Sequence, residues 1–204
     1  MEKGLSRPSR PVLIASMLGA AAAFAITRRL KRLSTLKYAP AVARRVDLTR
    51  YTGTWYEIAA LPQRYERDAF GTVAHYRLSP EGGIEVENLT RSGGWEGEVK
   101  RIQGRAWVVD SETSAKLKVR FRWPRVSGDY WILDVGPSYD YALVGTPSRK
   151  ALWILSREPL MNPTLYERLV ERSRLLGFDV GRLRLTPQTV SDSESRSGGL
   201  SFGL

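Results

Sequence analysis

The chain of 204 residues contains no cysteine. Disulfides, thiolate metal sites, cysteine nucleophiles and lipid anchors attached through cysteine are therefore all excluded. Histidine is nearly as scarce, since His75 is the only one. It falls in a predicted strand with its side chain expected on the outer face, where it could not serve a Ser-His-Asp arrangement in the interior. No His and carboxylate residues have the spacing of a metal site, so we expect neither an enzyme nor a metal or other cofactor.

Acidic residues are almost missing from the first part of the chain. Residues 1–45 hold ten Lys or Arg residues and one acid, Glu2, for a net charge of +9, whereas the remaining 159 residues carry 22 cations and 20 acids. Most of the total charge of +11 therefore belongs to this leader and not to the body of the protein. A nucleic-acid site needs basic residues clustered on one face, so we expect no nucleic acid among the partners.

Long apolar runs are also missing, apart from one near the start. It spans residues 12–26, and its fifteen residues match the core of a signal peptide but fall short of the about twenty that a membrane span needs. Ala23-Phe24-Ala25 offers a small-x-small cleavage site. Four cations follow directly between residues 28 and 32, and cations at that place disfavour passage across a membrane.

Three interpretations of this leader stay open: an export signal, an uncleaved anchor, or a misassigned start with Met17 as the true beginning. The first two favour a protein that is exported to the periplasm or held at a membrane surface through residues 12–37. Which side of the membrane the body faces is left open. Because there is no cysteine, a lipid-anchored lipoprotein is not expected.

The body of the chain, in contrast, alternates apolar and polar residues. In residues 116–122, Leu117, Val119 and Phe121 share one face and four cations share the other. A series of such strands covers its apolar face by closing on itself, and about eight strands leave room for one small ligand. The sequence therefore predicts an all-β fold, an eight-stranded antiparallel up-and-down barrel. The predicted strands are 54–60, 70–79, 83–91, 95–109, 115–123, 129–135, 140–146 and 150–156.

One helix is predicted between Pro163 and Gly177, and we expect it to pack outside the barrel. The stripe that would face the barrel consists of Leu165, Leu169, Leu175 and Leu176. The chain then divides into a basic leader with a linker (1–45), the barrel with its helix (46–187), and a Ser- and Gly-rich tail (188–204) that is expected to be disordered.

Placing the charged residues of each strand outside defines an inner face, which is either a solid core or a pocket. Small residues such as Ala74, Gly104 and Ala106 leave volume unfilled, and Asn88 adds a polar group that is costly to bury without a partner. Mostly apolar walls with a few polar groups favour a pocket for an amphiphile. The candidate ligand-binding residues are Ala74, Tyr76, Val86, Asn88, Ile102, Gly104, Ala106, Val119, Phe121, Tyr130 and Trp153.

Three segments resemble a known family. Gly53-Thr54-Trp55-Tyr56 lies at the centre of the first segment (47–59), Tyr139-Asp140-Tyr141-Ala142-Leu143-Val144 forms the second, and Trp153-Ile154-Leu155-Ser156-Arg157 forms the third. In this order and spacing they resemble the lipocalins, most closely the bacterial outer-membrane lipocalins and apolipoprotein D. The resemblance covers roughly residues 46–187.

The resemblance implies a barrel with one open end, and a structural base formed by Gly53, Trp55 and Arg157, with Arg157 packed across the Trp55 ring. It also implies that loops near residues 64–70 and 123–128 rim the mouth. The implied function is the binding and carriage of a fatty acid or lysophospholipid, for membrane lipid maintenance or stress response. One departure is that many bacterial members carry a lipid-anchoring cysteine, which this chain lacks.

The alternative is a lipocalin-fold enzyme, or a haem or pigment carrier, acting on an apolar small molecule. Prostaglandin-isomerising lipocalins use a cavity cysteine, which is absent here. A haem carrier needs an inward axial ligand, for which Tyr76 and Tyr130 are the candidates. The sequence leaves open the identity of the ligand and whether the protein is a monomer or a dimer.

Overall fold

The computed structural model describes residues 27, 39–62, 69–123 and 125–189. The chain forms two units, residues 1–39 and residues 40–204, and the elements below belong to the second. The predicted apolar segment 12–26, the basic residues 28–37 and the predicted tail from residue 190 onwards lie outside the described residues. Residues 63–68, which belong to a loop expected at the mouth, also lie outside them.

The described part of the second unit consists of a β-barrel preceded by one helical turn and followed by a helix. Its elements in chain order are α1 (Leu48–Tyr51), β1 (Gly53–Ala60), β2 (Ala69–Leu78), β3 (Ile84–Ser92), β4 (Val99–Val108), β5 (Lys116–Phe121), β6 (Ser127–Val135), β7 (Tyr141–Gly145), β8 (Leu152–Ser156), α2 (Pro163–Leu175), a 3-10 helix (Val180–Arg182) and β9 (Arg184–Leu185).

Antiparallel pairing follows the order of the chain from β2 to β8. Strand β8 pairs with β1, and β1 pairs back with β2, so the sheet closes on itself. Closure removes the free edges that an open sheet of this size would present to other chains. The predicted eight-stranded antiparallel up-and-down barrel, followed by one helix, is confirmed.

The turn between β2 and β3 shows why the hairpin pattern could be recognised. Gly82 and Gly83 have φ angles of +84° and +80°, a region that favours glycine. At Gly83 space is limiting as well, because a Cβ atom would lie 2.5 Å from the carbonyl oxygen of Ala106 on β4. A side chain at this position would therefore disturb both the turn and the neighbouring strand.

Strand β4 is shorter than predicted. The alternation suggested a strand over 95–109, but the strand begins at Val99. The residues before it form a turn in which the Gly97 amide donates to the Gly94 carbonyl oxygen at 3.1 Å. Gly94 has a φ of +136°, so the chain cannot continue as a regular strand there. The other seven predicted strands agree with the structure to within two residues at each end.

The residues that lead into the barrel contact its closed end. Asp47 caps α1, because its side chain accepts hydrogen bonds from the Thr49 and Arg50 amides. Upstream of this cap, the Ala43 amide donates to the Ile132 carbonyl oxygen at 3.0 Å, and the Val46 amide donates to Thr113 at 2.8 Å. The end of the segment assigned to the linker is thus held on the barrel.

The short strand β9 was not predicted, and it fills a gap between β1 and β2. Strand β1 pairs with β2 only over Gly53–Tyr56, and its pairing with β8 on the other side has a register shift between Glu57 and Ala59. Beyond that point β1 pairs with β9 instead, through Ala59 with Leu185 and Ala60 with Arg184. Two residues without alternation carry no strand signal, so only the partner strand defines this element.

Helix α2 packs through a face that differs from the predicted stripe. Leu169, Ser173 and Leu176 are buried, whereas Leu175 is 73% exposed, so its assignment to the buried stripe is wrong. A helix turns about 100° per residue, so Leu175 lies well away from Leu176 on the helix surface. The small Ser173 takes the buried position instead, and its hydroxyl donates to the Leu169 carbonyl oxygen at 2.7 Å.

Candidate functional site

The interior of the barrel contains a cavity of about 370 Å³ that is blocked at one end and open at the other. Tyr51 and Trp55 block the end where β1 begins, and residues 126–129, at the start of β6, lie at the mouth. A volume of this size lies at the lower end of the range for small-molecule sites, roughly 300–1,000 Å³. The interior is therefore a pocket and not a solid core.

The predicted inner face and the cavity wall largely coincide. The predicted residues that line the cavity are Ala74, Tyr76, Val86, Asn88, Ile102, Ala106, Val119, Phe121, Tyr130 and Trp153. Gly104 is the exception. A Cβ atom at Gly104 would lie 2.8 Å from a ring carbon of Phe121, so the aromatic ring covers this position and separates it from the cavity.

The floor of the cavity is the ring of Trp55, which is fully buried. Its indole N–H donates to the Tyr51 carbonyl oxygen at 2.8 Å. The guanidinium carbon of Arg157 lies 3.7 Å from the ring centroid, and Arg157 does not line the cavity. The ring therefore separates the guanidinium from the ligand space, in a cation–π contact.

Arg157 holds the closed end together through backbone carbonyl groups. Its guanidinium donates to the carbonyl oxygens of five residues, at distances between 2.7 and 3.3 Å. These acceptors are Arg50, Tyr51, Thr52, Thr54 and Tyr139. Gly53 leaves room for the guanidinium, because a Cβ atom there would lie 3.1 Å from Arg157 Nη1, and its φ of +102° also favours glycine.

Three tyrosines, which we call the tyrosine triad (Tyr51, Tyr76 and Tyr130), place their hydroxyl groups just above this floor. The Tyr130 oxygen lies 2.7 Å from the Tyr51 oxygen and 3.2 Å from the Tyr76 oxygen, so the three form a hydrogen-bonded row. Burial raises the pKa of Tyr76 to about 12 and raises the pKa values of Tyr51 and Tyr130 well above the ordinary value. At neutral pH the triad is uncharged and offers O–H donors.

The wall between floor and mouth carries a few polar groups. Glu57 is 6% exposed, and one of its carboxylate oxygens accepts a hydrogen bond from the Thr186 hydroxyl. Thr72 and Thr90 share a hydrogen bond at 2.8 Å. The Asn88 side-chain oxygen is buried and has no hydrogen-bond partner among the described residues, so it can bind a polar group of a ligand.

The mouth is more exposed than the wall, and Lys100 and Asp129 bring one charge of each sign to its lining. Lys100 lines the cavity on its outer side, and its ammonium group donates to the Ser92 hydroxyl at 3.1 Å. Trp123, in the loop between β5 and β6, is 81% exposed, and Val126 beside the same opening is 45% exposed. The expectation that residues 123–128 rim the mouth agrees with the lining residues Val126, Ser127 and Gly128.

Several lining residues were missed because the sequence interpretation placed charged and polar residues outside. Glu57, Thr72, Thr90 and Lys100 all face the cavity. A strict two-residue period starting at Trp55 would have placed Glu57 on the inner face, so that signal was present. Tyr51 gave no such signal, since it lies in α1, before the first strand.

The described residues contain no group of three His, Asp or Glu side chains that could hold a metal ion. The Nδ1 atom of His75 lies 3.1 Å from the Thr54 hydroxyl, and His75 does not line the cavity, as its outward placement implied. Within the described ranges, no helix is both long and apolar enough to cross a membrane.

Comparisons with known proteins agree with this geometry. The family model described as a lipocalin-like domain matches residues 46–188. The chain is 42% identical to temperature-induced lipocalin-1 of Arabidopsis thaliana over 164 residues, which cover 76% of this chain and 87% of that protein. It is 37% identical to the outer membrane lipoprotein Blc of Vibrio cholerae over 138 residues (67% of this chain, 80% of that protein). Bovine apolipoprotein D (Bos taurus) is 31% identical over 157 residues, covering 73% and 80% of the two chains.

Solved structures show the same fold at lower identity. Insecticyanin from the tobacco hornworm Manduca sexta superposes with a TM-score of 0.58 at 21% identity, covering 74% of this chain and 85% of that one. Lobster apocrustacyanin A1 superposes with a TM-score of 0.57 at 15% identity, covering 75% and 92%. The family match over most of the body, together with the identity to several lipocalins, shows that the chain belongs to the lipocalin family.

Proposed function

We propose that this protein binds a single-chain amphiphile, a fatty acid or a lysophospholipid, in the barrel cavity and carries it for membrane lipid maintenance or stress response. Lipocalins are a family that binds small hydrophobic ligands, and most of its members are binding or transport proteins and not enzymes. The names of the similar proteins, an outer membrane lipoprotein and an apolipoprotein, favour a lipid as the ligand. We infer that the protein has no catalytic residues.

The observation that carries this proposal is a blind-ended cavity with mostly apolar walls and a few polar groups. Ala74, Val86, Ile102 and Val119 supply apolar surface along several strands. An acyl chain is long, narrow and apolar, so it can leave water for such a space without losing hydrogen bonds. The polar groups are few enough to recognise one head group and not to hold a wholly polar ligand.

The energetics agree with reversible carriage. Burying about ten methylene groups at ~0.8 kcal/mol each contributes ~8 kcal/mol. Lost translational freedom and ordering of a flexible chain offset several kcal/mol of this gain. The remaining free energy corresponds to a dissociation constant of about a micromolar, which allows release at a membrane.

We further propose that the basic leader places the protein at a membrane surface, either after export or through residues 12–37. The leader carries nine of the eleven net positive charges. Basic residues next to an anionic membrane contribute roughly 1 kcal/mol each. This chain has no cysteine and so cannot carry a cysteine-linked lipid anchor. Its relative from Vibrio cholerae, in contrast, is named an outer membrane lipoprotein.

The haem-carrier alternative finds little support in the cavity. Its candidate ligands, Tyr76 and Tyr130, are hydrogen-bonded to each other, and burial raises both pKa values. Iron binding by tyrosine requires the phenolate, which this environment disfavours. The likeness to insecticyanin and apocrustacyanin, at less than 25% identity, concerns the fold and not the ligand of this cavity.

Native mass spectrometry of the purified full-length chain, followed by lipid extraction, tests the proposal. We expect a co-purified fatty acid or lysophospholipid, or uptake of added oleate with a dissociation constant of about a micromolar. A folded protein that carries no lipid and takes up no oleate would contradict the carrier function. Co-purification of a compound without an acyl chain would keep the binding function and overturn the ligand class.

A further inference from the structure

The tyrosine triad has more hydrogen-bonding capacity than its own contacts use. Each phenol supplies one O–H donor and two acceptor lone pairs. Two contacts join the three oxygens, at 2.7 Å between Tyr51 and Tyr130 and at 3.2 Å between Tyr76 and Tyr130. Whichever oxygen donates, two contacts use two of the three donors. One O–H therefore remains for an acceptor outside the triad.

That acceptor has to come from the cavity. All three tyrosines line it, and their hydroxyl groups make no other hydrogen bond within the described residues. A buried donor without an acceptor costs more free energy than an ordinary hydrogen bond contributes. A ligand that brings an oxygen to this floor is therefore favoured over one that brings a terminal methyl group.

The charges around the cavity also favour an oxygen at the floor over one halfway up the wall. The guanidinium of Arg157 lies behind the Trp55 ring, 3.7 Å from its centroid, and provides positive charge close to the floor. Glu57 lies on the same strand as Trp55, two residues nearer the mouth, and lines the cavity. An anionic head group at that height would meet this like charge directly; at the floor it lies closer to the cation, although the charge of Glu57 also acts on Tyr76 and contributes to its raised pKa.

We propose that a fatty acid enters the cavity head first and lies with a carboxyl oxygen hydrogen-bonded to the tyrosine triad, its acyl chain pointing to the mouth. This inference rests on the proposed function and makes its ligand class narrower. Trp55 and Tyr51 close the floor, which therefore suits a small group that carries an oxygen, such as a carboxyl, aldehyde or hydroxyl group. A phosphodiester head group needs more donors and more space, so the triad selects fatty acids over lysophospholipids.

The rival arrangement places the head group at the mouth, where Lys100 offers a positive charge. Its ammonium group is exposed to solvent and already donates to Ser92. An exposed ion pair is weakened by water and salt, whereas a hydrogen bond at the buried floor is not. Because the floor takes the head group out of water, it favours the neutral carboxyl group over the carboxylate. The two arrangements predict opposite directions for the acyl chain, and this difference can be measured.

The experiment uses ¹⁵N-labelled full-length protein with stearate that carries a nitroxide at carbon 5 or at carbon 16. Each probe broadens nearby NMR signals, and the indole N–H of Trp55, assigned by its loss in Trp55→Phe, reports on the floor. We expect the carbon-5 probe to broaden the Trp55 signal more than the carbon-16 probe does. The reverse order, or equal broadening by both probes, would overturn the inference and leave the proposed function standing. Failure of both probes to bind would remove the proposed function and the inference together.

All three tyrosines must be replaced to remove the free donor. If only one is replaced, the remaining hydroxyl groups still have at least one O–H that donates to no other tyrosine. We expect the triple variant Tyr51→Phe, Tyr76→Phe, Tyr130→Phe to bind palmitate about three- to ten-fold more weakly and to lose the difference between the probes. Tyr56→Phe, outside the cavity, is the matched control. If Lys100→Met weakens binding more than the triple variant does, the head group lies at the mouth and the inference is wrong. Should the triple variant not fold, the two probes on the unmodified protein still decide.

Discussion

At the scale of single residues, the closed end depends on one ring held between the cavity and a guanidinium. Trp55→Ala removes a fully buried indole and leaves a void beneath the ligand space. We expect it to lower the free energy of unfolding by about 3–5 kcal/mol, the usual cost of a buried tryptophan replaced by alanine. Urea unfolding measures this directly. Trp107→Ala, at a position 41% exposed on β4, is the matched control and should cost far less. Equal effects of the two substitutions would show that Trp55 does not close the barrel.

A second residue tests the wall of the cavity. Val119 lines the cavity and is 9% exposed, whereas the neighbouring Arg120 points outward. Val119→Glu introduces a carboxylate beside the acyl chain, and we expect oleate affinity to fall by about ten-fold or more with the circular dichroism spectrum unchanged. Arg120→Glu makes an even larger change of charge on the outer face and should leave affinity nearly unchanged. Normal uptake by the Val119 variant would place residue 119 away from the ligand.

The tyrosine triad gives the protein an expected sensitivity to alkali. Tyrosine in an unfolded chain titrates near pH 10, whereas burial raises the pKa of Tyr76 to about 12. Between these values the unfolded chain has lost protons that the folded protein retains, so the free energy of unfolding falls as pH rises. The slope is about 1.4 kcal/mol per pH unit for each such tyrosine. Urea unfolding at pH 8 and pH 11 measures it, and the triple Phe variant should show a smaller loss than Tyr56→Phe. Equal losses in the two variants would contradict burial of the triad.

Residue patterns could predict the cavity wall but not the chemistry of its floor. Alternation alone placed Val119 and Asn88 on the cavity side. A strand has only two faces, and the opposite face of these two strands carries the charged residues. Tyr51 could not be found in this way, since it belongs to α1 and therefore lies outside the alternating strands. Glu57 was missed because a carboxylate usually lies outside, and its burial depends on Thr186, far along the chain. The two-residue period alone indicated an inner position for Glu57, but the contact with Thr186 that makes its burial possible leaves no periodic signal.

At the scale of whole elements, the segment from β9 to Gln188 should act as a strap across β1 and β2. The Thr186 amide donates to the Ile58 carbonyl oxygen, and the Gly71 amide donates to Pro187. The Gln188 side chain donates to the carbonyl oxygens of both Glu57 and Thr72. These bonds satisfy backbone groups where β1 has separated from β2.

Truncation tests this strap. A chain that ends at Leu183 loses β9, Thr186 and Gln188, and its barrel should be less stable by about 2–4 kcal/mol, because several hydrogen bonds are lost and buried groups are left without partners. A chain that ends at Thr189 keeps every one of these contacts and should unfold at the same denaturant concentration as the full chain. Chemical unfolding of both proteins gives the comparison. If the shorter chain is equally stable, the strap is only a surface contact.

Elements were predictable where the pattern was long and failed where it was short. The eight barrel strands are five to ten residues long, and all were recognised, most by their alternation and the continuously apolar β7 and β8 by the turn residues that bound them. Strand β9 has two residues, so it exists only because β1 offers an unpaired edge. Helix α2 was located correctly, but Leu175 was assigned to its buried face in place of Ser173, because apolar character was given more weight than angular position.

At the scale of the whole molecule, charge and ligand binding belong to different parts of the chain. Residues 1–45 carry a net charge of +9, and the cavity is built entirely from residues after Asp47. We expect the basic leader to attract the protein to anionic lipid, and such an attraction is screened by salt. Ligand uptake, in contrast, depends on apolar burial, which salt does not screen in this way.

Deleting residues 1–39 should therefore separate the two properties, since residues 40–46 with their contacts to the barrel are kept. We expect the shortened protein to stay in solution when it is sedimented with vesicles containing phosphatidylserine, while its affinity for oleate stays unchanged. A second, full-length variant distinguishes vesicle binding through charge from vesicle binding through insertion of the apolar segment. In this variant Gln replaces Arg28, Arg29, Lys31 and Arg32. If charge dominates, this variant also leaves the vesicles, and binding of the unmodified chain declines as salt is raised. If the apolar segment dominates, the variant stays bound and salt has little effect. Loss of oleate binding in the shortened protein would show that the leader is part of the lipid site.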